Sequence, residues 1–192
     1  IEASCRGDVI DGKIINRMIN SCRLPIGAGG GIRNIKDAGQ CFKAGADKII
    51  VNTHAVLKPK FVKSLAREFG SQSVVVSLDV KRRKSGEYRV YVFSGKQKVD
   101  LEFKYILKRV IDEGAGEIIL TSLDREGMLS GFDLDLYKMI QEMVSLPLIA
   151  SGGAGSYDDI VKLFNETNCD AAAIGKMLFL RDYDIVRIKS YL

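Results

Sequence analysis

The sequence predicts an α/β protein of the (β/α)8 TIM-barrel class, and three observations carry that expectation: short apolar runs alternate with longer amphipathic stretches, glycine turns follow the runs, and one pattern recurs in both halves. The runs at 24–28, 48–51, 73–78, 117–121, 146–150 and 171–174 read as strands. Each is short, continuous and bounded by Gly, Asp or Pro, as expected of parallel strands covered on both faces. Helical spacing of apolar residues appears at 12–21, 34–44, 58–68, 101–113, 133–144, 156–166 and 182–192. Repeated βα order selects a parallel sheet with right-handed crossovers.

The internal repeat favours a closed barrel over an open sheet. Leu24-Pro25-Ile26-Gly27-Ala28-Gly29-Gly30-Gly31 is similar to Leu146-Pro147-Leu148-Ile149-Ala150-Ser151-Gly152-Gly153, each a strand that starts at a proline and runs into a glycine turn. The helix-to-strand junction Ala44-Gly45-Ala46-Asp47 has counterparts at Asn168-Cys169-Asp170 and Gly114-Ala115-Gly116-Glu117. Two related halves of this kind suit a (β/α)8 barrel built from half-barrel repeats. Six whole strands and a stub before Cys5 leave that barrel one unit short, with residues 1–192 forming a single domain that lacks its first βα unit. A hairpin-like insert follows Asp79, with a strand over 87–93 and a turn at Ser94-Gly95-Lys96. Loops at the C-terminal ends of barrel strands carry function, so the insert marks either the active face or a decorative flap.

Composition narrows the function. Of 192 residues, 46% are apolar and 28% charged, and no run approaches the roughly 18–20 apolar residues of a spanning helix. A membrane protein is not expected. The net charge of +5 is spread along the chain without interleaved aromatics, which argues against nucleic acid and leaves anionic small molecules as ligands. Cys5, Cys22, Cys41 and Cys169 lack metal-site spacing, and His54 is the one histidine. No metal or other cofactor is expected, and free thiols fit a reducing cytoplasm.

Chemistry is expected at the strand ends. Gly29-Gly30-Gly31 and Ser151-Gly152-Gly153 each end a strand and open a helix, where free backbone amides favour phosphate. Two such turns in matching half-barrel positions suggest a long, doubly phosphorylated substrate. Asp79 closes the apolar strand Val74-Val75-Val76-Ser77-Leu78, which puts a carboxylate at the barrel mouth with a perturbed pKa suited to acid–base work. A salt bridge to Lys81 is the structural alternative. Asp124 and Glu126 are weaker loop acids, and Asp124 is expected to pair with Arg125. Asp47, Lys48 and Glu117 lie at the opposite, N-terminal strand ends, where charges are commonly solvated. His54 follows Asn52-Thr53 on the active side, with no partner for catalysis.

The ordered motifs Leu-Pro-x4-Gly-Gly, Val51-Asn52-Thr53, Phe69-Gly70-Ser71-Gln72, Ser77-Leu78-Asp79, Gly114-Ala115-Gly116-Glu117, Thr121-Ser122-Leu123-Asp124-Arg125-Glu126-Gly127 and Ile149-Ala150-Ser151-Gly152-Gly153-Ala154-Gly155 span nearly the whole chain. In this order they closely resemble the cyclase-subunit family of imidazole glycerol phosphate synthase. The resemblance implies a (β/α)8 barrel acting in histidine biosynthesis as a heterodimer with a glutaminase (amidotransferase) subunit. Ammonia from that partner would convert a phosphoribulosyl formimino carboxamide ribonucleotide into imidazole glycerol phosphate and an aminoimidazole carboxamide ribonucleotide.

Carried over by position, the resemblance makes Asp79 catalytic. It puts Gly30, Gly31, Asn52 and Thr53 at one substrate phosphate and Gly127, Gly152, Gly153, Gly175 and Lys176 at the other. Ser94, Thr121 and Ser151 match substrate-facing polar positions. Lys48 and Glu117 match members of a charged ring that admits ammonia, and Asp47 lies at the glutaminase contact. Glu126 replaces a more usual Asp, and Gly175-Lys176 a common Ala-Ser. By the same resemblance the chain opens inside the family's second strand at Ile1-Glu2-Ala3-Ser4. A second catalytic aspartate and a lysine belong to the unit before it, so this chain alone is expected to be inactive. Three other readings share much of the pattern: a paralogous barrel of surface-polysaccharide synthesis, nearer in Ser77-Leu78-Asp79-Val80-Lys81, a phosphoribosyl isomerase, and a non-catalytic phosphate-binding scaffold.

Overall fold

The computed structural model describes residues 10–22, 24–180 and 184–191. In chain order the elements are α1 (Gly12–Ser21), β1 (Gly27–Gly29), α2 (Ile35–Lys43), β2 (Lys48–Val51), α3 (Thr53–Leu57) and α4 (Lys60–Phe69). A 3-10 turn at Ser71–Ser73 leads into β3 (Val74–Arg82), β4 (Tyr88–Val92) and β5 (Gln97–Lys98). Then come α5 (Phe103–Asp112), β6 (Glu117–Ser122), α6 (Leu134–Ile140), β7 (Leu148–Ser151), α7 (Tyr157–Glu166), β8 (Ala171–Ala173), α8 (Lys176–Leu180) and α9 (Ile185–Tyr191).

Six strands pair in parallel in the order β1-β2-β3-β6-β7-β8 and curl in the manner of a (β/α)8 barrel. Among the described residues β1 and β8 are each paired on one side only. The stub before Cys5 lies outside the described residues. β3 continues past the barrel as Val80, Lys81 and Arg82, pairing antiparallel with β4, and β5 completes the insert. Helices cover the outer face of the sheet through an apolar layer that includes Val62, Leu65, Val74, Val76, Leu78, Leu107, Ile118, Leu136 and Leu163, all fully buried. Burying such side chains contributes about 1.5–3 kcal/mol each.

The strands fall where the apolar runs predict them, with shifted ends. The first begins at Gly27 rather than residue 24, because Pro25 has no N–H and the Ile26 N–H is given to the Asp47 carboxylate at 2.8 Å. The second half repeats the device: the Leu148 N–H goes to Asp170 at 2.8 Å. The helix expected over 133–144 stops at Ile140, followed by a turn in which the Met143 N–H meets the Ile140 carbonyl. Helices α3 and α8, five residues each, had no visible periodicity in the sequence.

Several helix starts are capped by their own side chains. Asn34 accepts the Asp37 N–H at 2.9 Å, Ser156 the Asp159 N–H at 3.2 Å, and the buried Asp133 the Leu136 N–H at 3.4 Å. Asp133 also accepts the hydroxyls of Tyr88 at 2.9 Å and Ser122 at 3.2 Å, joining the β4 hairpin and β6 to α6. No described helix is long and apolar enough to cross a membrane.

Candidate active site

The period-2 alternation of a strand sends Ser77 and Asp79 to one face of β3 and Val76 and Leu78 to the other. The first pair lines a cavity at the C-terminal end of the barrel, and the second is buried under the helices. Strand register then aligns Asp79 with Thr121 on β6, Thr121 with Ser151 on β7, and Ser151 with Ala173 on β8. Four neighbouring strands therefore present one row of residues to the mouth.

The cavity holds about 800 Å3. Gly30 and Gly31 line one end with Asn52 and Thr53, while Asp79, Thr121, Glu126 and Ser151 line the other side. Ser94 enters from the hairpin, whose tip is held by the Phe93 N–H donated to the Thr53 hydroxyl at 3.1 Å. A second cavity of about 210 Å3 adjoins the first, sharing Glu126 and Ser151 and adding Gly127, Gly152, Gly153, Gly175 and Lys176. Every position expected at the substrate thus falls in one of two adjoining spaces. The hairpin insert reaches the larger cavity through Phe93 and Ser94.

Glycine is required at the turns for different reasons. Gly30, Gly31, Gly152 and Gly153 all have positive φ. A Cβ on Gly152 would stand 2.7 Å from the Ser122 carbonyl, and one on Gly153 would collide with the Gly131 carbonyl. Gly175 has open space around it. The Lys176 ammonium donates to the Gly127 carbonyl at 2.7 Å, which brings a cation to the rim of the smaller cavity.

Burial pushes the Asp79 carboxyl above the ordinary carboxylate range, a hydrogen bond from Asn52 pulls it partly back, and the Glu126 carboxylate adds to the rise. No salt bridge between Asp79 and Lys81 forms among the described residues. Asp124 does not pair with Arg125: it accepts the Arg82 N–H at 2.7 Å, while Arg125 bonds Ser130. Tyr137 is fully buried beneath the site: the carbonyls of Leu120 at 3.0 Å and Ser151 at 3.1 Å share its one hydroxyl proton, and its oxygen accepts the Ser151 N–H, which fixes the end of β7.

One of two basic cavity residues, Arg33, escaped the sequence reading, whereas His54 was expected on the active side. Arg33 sits two residues beyond the glycine turn, and His54 lies in the first turn of α3. Burial lowers the His54 pKa, and Lys58 and Arg33 lower it further against the opposing pull of Asp37. A basic residue directly after a phosphate-type turn was the available signal for Arg33.

At the opposite end of the barrel, Lys48 at the start of β2 and Glu117 at the start of β6 form an ion pair beneath β3. Asp47 beside them is exposed, with its carboxylate on the Ile26 N–H. Among the described residues no group of three or more His, Cys, Asp or Glu could hold a metal ion, and Cys22, Cys41 and Cys169 carry free thiols.

A parallel βα barrel sheet with two glycine-built recesses at the strand C-termini and a half-buried carboxylate between them defines a (β/α)8-type barrel with its candidate site at the C-terminal face. Comparison with known proteins gives the family. The chain belongs to the histidine biosynthesis protein family, whose pattern matches residues 1–184. It is 43% identical over 179 residues to the imidazole glycerol phosphate synthase subunit HisF of Alkaliphilus metalliredigens (strain QYMF), covering 93% of this chain and 71% of that protein. The protein of the same name from Dictyoglomus thermophilum is 41% identical over 187 residues, covering 97% and 73%. That of Prochlorococcus marinus (strain MIT 9215) is 37% identical over 181 residues, covering 93% and 71%.

Proposed function

We propose that the protein is the cyclase subunit of an imidazole glycerol phosphate synthase, a lyase of histidine biosynthesis. It takes ammonia from a glutaminase subunit and closes the imidazole ring on a phosphoribulosyl formimino carboxamide ribonucleotide. Imidazole glycerol phosphate and an aminoimidazole carboxamide ribonucleotide leave. The observation that carries this reading is the pair of adjoining cavities sharing Glu126 and Ser151, with a glycine turn in each and Asp79 in the larger. Such a shape suits a substrate with a phosphate at each end.

In this reading Gly30, Gly31, Asn52 and Thr53 hold one phosphate, and Gly127, Gly152, Gly153, Gly175 and Lys176 hold the other. Backbone amides at the glycine turns supply the donors, and Lys176 adds a charge. Asp79 moves protons at the reacting centre. Its raised pKa brings the carboxyl toward the working range of a general acid or base near neutral pH. Thr121, Ser151 and Ser94 orient the substrate between the phosphates, with Glu126 where the two spaces meet. Ammonia enters from the far end past Lys48 and Glu117, with Asp47 on the docking face of the glutaminase subunit.

The test is turnover of the intact protein on the bisphosphorylated ribonucleotide, with ammonium salt and separately with glutamine plus the glutaminase subunit. Formation of both products in each case is the expected result. Interconversion of the substrate with its ring-closed isomer, without uptake of ammonia, would sink the proposal.

A further inference from the structure

Basic residues occur throughout the chain, yet their excess over acids is confined to one segment. Residues 81–100 hold seven Lys or Arg against Glu87 and Asp100, a net of +5 that equals the charge of the whole protein. This segment is the hairpin insert, from the outer end of β3 to just beyond β5. Its acids are already committed: Glu87 pairs with Arg89 at 3.1 Å and Asp100 with Lys98 at 2.8 Å, while Arg82 is held by Asp135 at 3.4 Å. Lys81, Arg83, Lys84 and Lys96 are exposed and have no ion-pair partner among the described residues.

Strand register shows where this charge lies. β3 and β4 pair Asp79 with Tyr91, Val80 with Val90 and Lys81 with Arg89. Opposed residues of an antiparallel pair share a face, and every second residue along a strand returns to it. Val80 and Val90 are fully buried, so Asp79, Tyr91, Lys81 and Arg89 share the other face, which Asp79 presents to the cavity. Lys81 is one strand repeat, about 7 Å, outward from Asp79. Two cations directly opposite one another are unfavourable for the hairpin, and Glu87 offsets only Arg89. At the tip, Lys96 follows Ser94, which lines the same cavity. Arg83 and Lys84 line a flanking cleft with Arg125, whose Cβ would stand 3.1 Å from a Cβ on Gly153 in the smaller cavity. Positive charge therefore borders both spaces.

We propose that Lys81, Arg83, Lys84 and Lys96 form a cationic lip that captures the bisphosphorylated substrate from solution and guides it into the two cavities. The inference rests on the reading of the substrate as bisphosphorylated and adds how it arrives. Cations around a cleft raise the association rate of an anion by about 10- to 1000-fold, and the effect fades as salt shortens their reach. None of the four has to touch the bound ligand.

The experiment compares two variants of the intact protein. One replaces all four residues by Gln; the other carries Lys81→Arg, Arg83→Lys, Lys84→Arg and Lys96→Arg, which keeps every charge. Association of the bisphosphorylated ribonucleotide without ammonia is followed by stopped-flow tyrosine fluorescence at low and at physiological ionic strength, with pentanediol bisphosphate as a second probe. The neutralised variant is expected to keep its melting temperature and kcat and to lose about tenfold in association rate at low salt, with dissociation within about twofold. Added salt slows association steeply in the unaltered and charge-preserving proteins and little in the neutralised one. Unchanged association after neutralisation would overturn the proposal. Faster dissociation with association kept would overturn it in favour of direct contacts to the bound ligand, and an equal loss in the charge-preserving variant would overturn it in favour of a structural role. If the ribonucleotide binds but is not turned over with ammonium, the assigned reaction fails and the association rates still decide capture. If neither bisphosphate binds the unaltered protein, capture itself fails.

Discussion

The Thr53 hydroxyl accepts the Phe93 backbone N–H at 3.1 Å, which ties the tip of the β4–β5 hairpin to the start of α3 across the mouth of the cavity. Phe93 and Ser94 both sit at positive φ, a conformation that non-glycine residues adopt infrequently, so the tip needs external support. Thr53 gives that support from the side of the first glycine turn.

Loosening this tie should weaken substrate binding more than chemistry. Thr53→Val keeps the shape and removes the acceptor, a loss worth about 0.5–1.5 kcal/mol. The expected result is a KM raised about three- to tenfold, with kcat nearly unchanged and binding recovered by Thr53→Ser. Steady-state kinetics check it, and limited proteolysis in the hairpin should quicken in parallel.

Asp79 couples activity to stability in opposite directions. Replacing a positioned acid–base group typically lowers turnover by about two to four orders of magnitude, so Asp79→Asn should do so with substrate affinity largely kept. The folded-state pKa is raised, so its contribution to stability is fully present below the unfolded pKa and is lost as pH rises through the folded value. An uncharged asparagine in its place carries no such penalty. Melting curves should therefore show Asp79→Asn above the unaltered protein at neutral pH, the difference shrinking as pH falls through the folded pKa. A variant less stable at pH 7 than at pH 4, relative to the unaltered protein, would contradict this.

The legible parts of the site were those where polarity interrupts a strongly apolar run. Asp79 after Val74-Val75-Val76-Ser77-Leu78 and the glycine turns after the first and fifth runs stand out because a strand end fixes which way they face. Arg33 was not legible as a cavity residue, because nothing local says that a loop side chain turns inward, whereas His54 was placed on the active side by its position after a strand end. The extension of β3 through Lys81 and Arg82 was hidden for a related reason: beyond the barrel its side chains are exposed, and the apolar signal ends while the hydrogen-bond ladder continues. The role of Tyr137 depends on three backbone groups from two strands, and a helical tyrosine spaced like a core residue carries no mark of that.

Two of the glycines of the smaller cavity, Gly153 and Gly175, should separate binding from folding. Gly175→Val meets open space, so the melting temperature should hold while KM rises as the side chain occupies room meant for the phosphate end. Gly153→Val combines a collision with the Gly131 carbonyl and a φ of 109°, and should lower yield or stability before any effect on binding can be read. Calorimetry alongside substrate titration distinguishes them. Matching losses of stability in both would mean that Gly175 is held by packing and not by the ligand.

Lys48 and Glu117 offer the sharpest test of ammonia delivery, because their bond contributes little to holding the fold. Lys48 begins β2 and Glu117 begins β6; between them β3 pairs Val74 with Ile49 and Val75 with Glu117, so the ion pair spans the underside of that strand. The side chains are 35% and 18% exposed, and ion pairs near the surface contribute about 0–1 kcal/mol. Lys48→Met and Glu117→Gln should accordingly fold normally. With saturating ammonium salt, which reaches the cavity from the open mouth, turnover should stay within about twofold of the unaltered protein, a change under about 0.5 kcal/mol in barrier. With glutamine and the glutaminase subunit, ammonia must pass the altered pair from below, and turnover should fall by about tenfold or more. The ratio of the two rates, measured in the same preparation, cancels differences in folded fraction. An equal fall in both rates would make the pair a structural brace of the barrel and remove it from the ammonia path.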